Sequence, residues 1–166
     1  MERRFPPNAV HLVRTTQTMH LQLSQMADQK ASILMGATFV VFTITIAQAH
    51  GGGPPLALAV LGGFSFLSAI FAVLTVLPST RVPRGGAVNL LFFGSFAQID
   101  EEEYVARLLD VLGADESVYA TMARDIHQNG CVLARRKYRL LGYAYRIFLT
   151  GLIASFAALV WQMLAC

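Results

Sequence analysis

Asp28 and Lys30 stand two residues apart in "MADQKASIL" (Met26 to Leu34), just before a stretch, Ala31 to Thr80, that holds no Asp, Glu, Lys or Arg. A carboxylate and an ammonium in that position have two uses. They are either the solvated end of a membrane helix, or the polar groups of a site in which Asp accepts hydrogen bonds and Lys holds an anion. A second concentration of charge, Arg135, Arg136, Lys137 and Arg139 around Tyr138, contains no acid and leads into another uncharged stretch, Ile147 to Cys166. Such a cluster suits a phosphate through charge-assisted hydrogen bonds. It suits equally well the anionic lipids beside a membrane span.

The remaining candidates point away from catalysis. Glu101, Glu102 and Glu103 follow Asp100 in "IDEEEYVARLLDVLG". Acids in a first turn complement the helix dipole, and Asp100 with Glu103 has capping-box spacing, so these are helix-start residues rather than a metal site. His11, His20, His50 and His127 are scattered and form no ligand set. The chain carries no Walker loop, GxGxxG, HExxH, GxSxG or CxxC. It reads as a non-enzyme, with no cofactor and no metal.

The elements that would position these residues follow from charge and hydropathy. The 166 residues are 55% hydrophobic and 14% charged, on the membrane side of ordinary soluble composition. "AHGGGPP" (Ala49 to Pro55) interrupts the first uncharged stretch with helix breakers. Spans at 31–50, 56–78 and 147–165, rising 1.5 Å per residue, come to roughly 28 to 35 Å against a hydrocarbon core of about 30 Å. The expected fold is an all-α integral membrane protein. It has an N-terminal helix over 1–30, a short outer loop over 51–55, and a small helical domain over 79–146, between the second and third spans. Every Lys and Arg falls in 1–30 or 81–146. The positive-inside rule makes those segments cytoplasmic and sends the 51–55 loop and Cys166 outward. Cys131 and Cys166 then lie on opposite sides and form no disulfide, and Cys131 reads as a buried, apolar-like residue.

The spans hold no ionisable side chain at depth, which argues against a pump or proton-coupled transporter. They do hold small residues at helix-packing spacing: Ser32 and Gly36 in the first, Gly151 and Ser155 in the third. Such pairs let helices approach closely, within one chain or between protomers. Ahead of the first span, Met19, Leu23, Met26 and Lys30 share one helical face, which turns the thioethers toward a partner. Asp28 shares another face with Ser24, Leu21, Gln17 and Arg14. From Glu116 the pattern is helical into the third span, with Asn129-Gly130 as a place to break or bend.

The combination resembles the transmembrane effectors of bacterial Pycsar anti-phage systems. The resemblance rests on an "ADxKA" core at Ala27, Asp28, Lys30 and Ala31, and on "LLFFG" at Leu90 to Gly94 with "EEY" at Glu102 to Tyr104. A Lys137-Tyr138 pair before the last span completes it. It implies a multi-pass protein of the bacterial inner membrane that senses cyclic UMP or cyclic CMP. A partner pyrimidine nucleotide cyclase, not necessarily in contact, makes that signal. The effector then impairs membrane integrity, so the infected cell dies before phage are released. On this reading Lys30 or the Arg135–Arg139 cluster holds the cyclic phosphate, while Asp28, Asn89 or Tyr138 hydrogen-bonds the uracil or ribose. The expected partners are the nucleotide, the lipid bilayer and further copies of the chain as a homo-oligomer, but no nucleic acid polymer. A scaffold membrane protein that docks a partner through its cytoplasmic helices is the alternative.

Overall fold

The computed structural model describes residues 4–49, 53–77 and 88–165. The Arg81 to Gly86 loop, residues 50–52 of the outer loop and Cys166 lie outside the described residues. Among those described, the chain is wholly helical. Helix α1 runs Ala9–Ala49, α2 Leu56–Val76, α3 Phe93–Phe96, α4 Glu101–Leu112, α5 Asp115–Val132 and α6 Arg139–Ala165. A π-helical segment, Leu133–Tyr138, links α5 to α6. Three helical stretches are long and apolar enough to cross a membrane: α1, α2 and the continuous run Asp115–Ala165.

Local chemistry explains the boundaries. No Gly or Pro lies between Ala9 and Met35, so nothing interrupts α1 where its charged half meets its apolar half. Pro55 occupies the N-cap of α2 in an extended conformation (ψ 146°). At the other end Leu77 turns extended (ψ 125°), as a residue preceding proline does, and Pro78 follows it. Asp100 does sit at the N-cap of α4, but its side chain makes no capping bond. Glu103 instead turns forward to Arg107, one turn on, so the expected capping box is replaced by an i,i+4 ion pair. Asn129-Gly130 does not break the helix. Gly130 lies inside α5, where a Cβ would come within 3.2 Å of the His20 imidazole of α1. The irregularity falls a few residues later, in the π-helical segment.

The chain divides into two compact units, Met1–Leu23 with Pro78–Leu133, and Ser24–Leu77 with Ala134–Cys166. In the first unit α4 packs on α5, Phe96 meets Tyr104 at 5.0 Å between ring centres, and Phe5 meets Tyr119 at 4.6 Å. The second unit holds α2 against α6 as its principal helix pair. Its core is small-residue packing: Ala27, Ala31, Leu34, Ala72, Leu141 and Ala144, with Met35, Phe71, Tyr138 and Phe148 against them. Where helices come this close, hydroxyls find backbone partners across the interface. Ser68 Oγ donates to the Ala144 carbonyl at 2.8 Å and Ser155 Oγ to the Ala57 carbonyl at 2.7 Å. Gly62 admits the Thr45 side chain, and Gly151 admits Phe64 so closely that any Cβ would collide with it.

Candidate functional site

The first unit contains a buried carboxylate with no cation beside it among the described residues. Asp125, 5% exposed, lies on the inner face of α5. Its Oδ1 accepts from Asn89 Nδ2 at 3.0 Å and from Asn129 Nδ2 at 2.9 Å, and its Oδ2 accepts from Gln17 Nε2 at 3.2 Å. Asn89 Nδ2 also donates to Gln128 Oε1 at 2.9 Å. Among the described residues no Lys or Arg pairs with Asp125. Amide donors alone solvate it, which a buried charge requires when no counter-ion is present. Asn89 is held in turn: its N–H donates to Ser95 Oγ at 2.9 Å, and its Oδ1 accepts the Leu91 N–H at 2.9 Å. The "NLLFFGS" segment is thereby pinned to α5 and to the N-terminal part of α1. Asn89, expected as a nucleobase or ribose contact, spends its amide on this network. Asp125, Gln17, Gln128 and Asn129 were not anticipated.

The second unit joins two residues that the sequence offers separately. Lys137 Nζ donates to Asp28 Oδ1 at 2.8 Å, Asp28 Oδ2 at 2.7 Å and Ser24 Oγ at 2.8 Å. An ammonium has three hydrogens, and all three are used. The pair is partly buried, with the Lys137 side chain 20% and the Asp28 side chain 36% exposed. Lys137 belongs to the π-helical segment, so the widened turn presents its ammonium to α1. Asp28 and Lys137 therefore neutralise each other.

Lys30 is placed differently. With Tyr138, Leu141, Gly142 and Tyr145 it lines an open groove of about 420 Å³. Tyr145 Oη donates to the Lys30 carbonyl at 3.2 Å, fixing one wall. The groove has an apolar floor, two phenol rings and one ammonium. It can take a small anion with a flat apolar part, and its volume lies in the ordinary range for small-molecule sites. Arg135 and Arg139 are exposed, whereas Arg136 is half-buried and engaged within the chain.

The small-residue pairs separate as well. Gly151 and Ser155 are used in packing α6 on α2, whereas Ser32 and Gly36 are exposed, and nothing lies within 4 Å of a Cβ built at Gly36. Cys131 is half-buried rather than buried, with its Sγ 3.8 Å from His127 Nε2 one helical turn away. Among the described residues no three His, Cys, Asp or Glu side chains converge as a metal site would require.

The family model described as PycTM, Pycsar effector protein domain, covers residues 11–164. No curated protein and no solved structure matches the chain.

Proposed function

The chain belongs to the Pycsar effector family, and from that premise we propose that it is a ligand-gated, non-enzymatic effector of anti-phage defence. A cyclic pyrimidine mononucleotide, cyclic UMP or cyclic CMP from a partner cyclase, binds on the cytoplasmic side. The bound protein impairs the bacterial inner membrane and infection is aborted. The N-terminus lies in the cytoplasm and the C-terminus in the periplasm, following the distribution of Lys and Arg.

The observation that carries the ligand assignment is the contrast between two lysines. Lys137 has spent its hydrogens on Asp28 and Ser24. Lys30 lines an open groove beside two tyrosines and makes no ion pair among the described residues. A 3′,5′-cyclic phosphodiester bears one negative charge, which a lysine ammonium meets as a point charge. A pyrimidine presents a flat face on which a phenol ring can stack. Tyr138 and Tyr145 supply such rings, and Leu141 with Gly142 supplies the floor. The basic cluster then divides its labour. Lys137 ties the π-helical segment to α1, Lys30 takes the phosphate, and exposed Arg135 and Arg139 draw anions toward the membrane surface. The nucleotide acts by binding one arrangement of the spans more tightly than another, the only way a ligand shifts an equilibrium.

The test is a binding titration of the detergent-purified chain with cyclic UMP, cyclic CMP, cyclic AMP and cyclic GMP. One pyrimidine nucleotide binds selectively, and Lys30→Ala removes that binding. A folded protein that binds none of the four overturns the sensing role. Undiminished binding by Lys30→Ala moves the phosphate site elsewhere.

A further inference from the structure

The outer side of α1 carries a second pattern. Leu12, Met19, Met26, Ile33 and Val40 recur at strict seven-residue intervals, and each is between 46% and 74% exposed. Four residues after each comes a second position of the same seam, and over its whole length one charge falls there: Lys30. The seam is flanked by Thr15, Gln22, Gln29 and Gly36, all uncharged and exposed. On its other side the seam adjoins Ala27 and Leu34, which with Ala31 and Thr38 are buried within the chain.

Bilayer thickness decides what this seam needs. At 1.5 Å per residue, α1 with its 41 residues is roughly 60 Å long, about twice the hydrocarbon core. Lipid covers Ile33 and Val40. Leu12, Met19 and Met26 stand on the half that carries Arg14, Asp28 and Lys30, where water, not lipid, meets them. A contiguous apolar stripe in water marks a surface that another molecule covers. Its seven-residue period specifies a helix packed alongside in a left-handed supercoil.

We infer that a second copy of this chain covers the seam, α1 against α1 in parallel, and that Lys30 is the charge that opposes the pairing. The seam passes from water into lipid without a change of register. A soluble partner would cover only its outer half, so the covering element must itself be a helix running from water into the membrane. A second copy, inserted in the same orientation, supplies that helix with the same repeat. Parallel pairing sets each residue beside its twin, which suits Gln22 and Gln29 because an amide both donates and accepts. Only Lys30 meets a like charge. A single lysine at such a position sets register at a cost in stability. An anion in the groove that Lys30 lines removes that repulsion, which would make assembly depend on the ligand. This last step rests on the nucleotide reading; the seam does not.

Disulfide cross-linking in membranes tests the inference on the full chain carrying Cys131→Ser and Cys166→Ser. Single substitutions Met19→Cys and Met26→Cys report the seam, and Leu21→Cys reports an exposed position on a different face. Homodimer formation on oxidation is several-fold greater at Met19→Cys and Met26→Cys than at Leu21→Cys. Adding Lys30→Met to Met26→Cys raises the dimer several-fold without any nucleotide, whereas Lys30→Arg leaves it unchanged. Equal cross-linking at Leu21→Cys, an adduct of another mass on the seam, or no adduct from a chain correctly in the membrane fraction overturns the pairing. No rise with Lys30→Met overturns the role of Lys30. If the chain binds no nucleotide yet cross-links along the seam, the pairing stands and only its trigger falls.

Discussion

Lys137 and Lys30 are both basic residues of the membrane boundary, and substitution distinguishes them. Lys137→Ala leaves Asp28 and Ser24 without their donor. With the Asp28 side chain 36% exposed, water recovers part of the loss, and unfolding stability falls by about 1 kcal/mol. Lys30→Ala removes nucleotide binding without lowering the melting temperature, because its ammonium makes no ion pair among the described residues. Asp125→Ala is the more severe change, because the amides of Gln17, Asn89 and Asn129 lose their acceptor together. A loss of about 2–4 kcal/mol is expected in denaturant or thermal unfolding, with Asn89→Ala falling short of it. The sequence singles out Asp28 and Lys137 as individuals and does not pair them. They lie 109 positions apart, and no local pattern encodes which cation meets which carboxylate. Asp125 passes for one more acid in an acidic stretch, since burial is decided by the fold. The amide pattern around it, Gln128 and Asn129 on the same helix, is the signal that was available.

At the scale of elements, the helices were legible because they follow from composition and breakers. Long uncharged runs, Pro54-Pro55 and the first-turn acids of α4 are all local. The π-helical segment Leu133–Tyr138 was not legible. Its residues, "LARRKY", have ordinary helix propensities, and the widened turn depends on packing at both ends. The roles of the small residues also depend on tertiary contacts. Gly151 and Gly36 look alike in sequence, yet a Cβ at Gly151 collides with Phe64 and one at Gly36 meets nothing. Gly151→Ala therefore costs about 1–3 kcal/mol, by forcing α6 off α2. Gly36→Ala gains about 0.5–1 kcal/mol of helix propensity. Thermal unfolding of the two variants in detergent should move in opposite directions. Destabilisation of both would mean that a neighbouring helix packs closely on α1 at Gly36.

At the scale of the molecule, one physical arrangement serves the proposed function. The helices long enough to span a membrane carry no charge within their apolar stretches, Ala31 to Thr80 and Ile147 to Cys166. On the proposed function, membrane damage follows from a change in how copies of the chain associate, with the ligand acting where polar residues meet the spans. Cells are expected to tolerate expression of the chain until the nucleotide appears, and to tolerate Lys30→Met less well. The most direct measurement is dye release from liposomes containing the purified chain, with each of the four cyclic mononucleotides added in turn. Release is expected from the unsubstituted chain with cyclic UMP or cyclic CMP only, and from Lys30→Ala to the same extent with or without nucleotide. Release of the same extent from the unsubstituted chain without nucleotide, or none with any nucleotide from a correctly inserted protein, would contradict the proposed function.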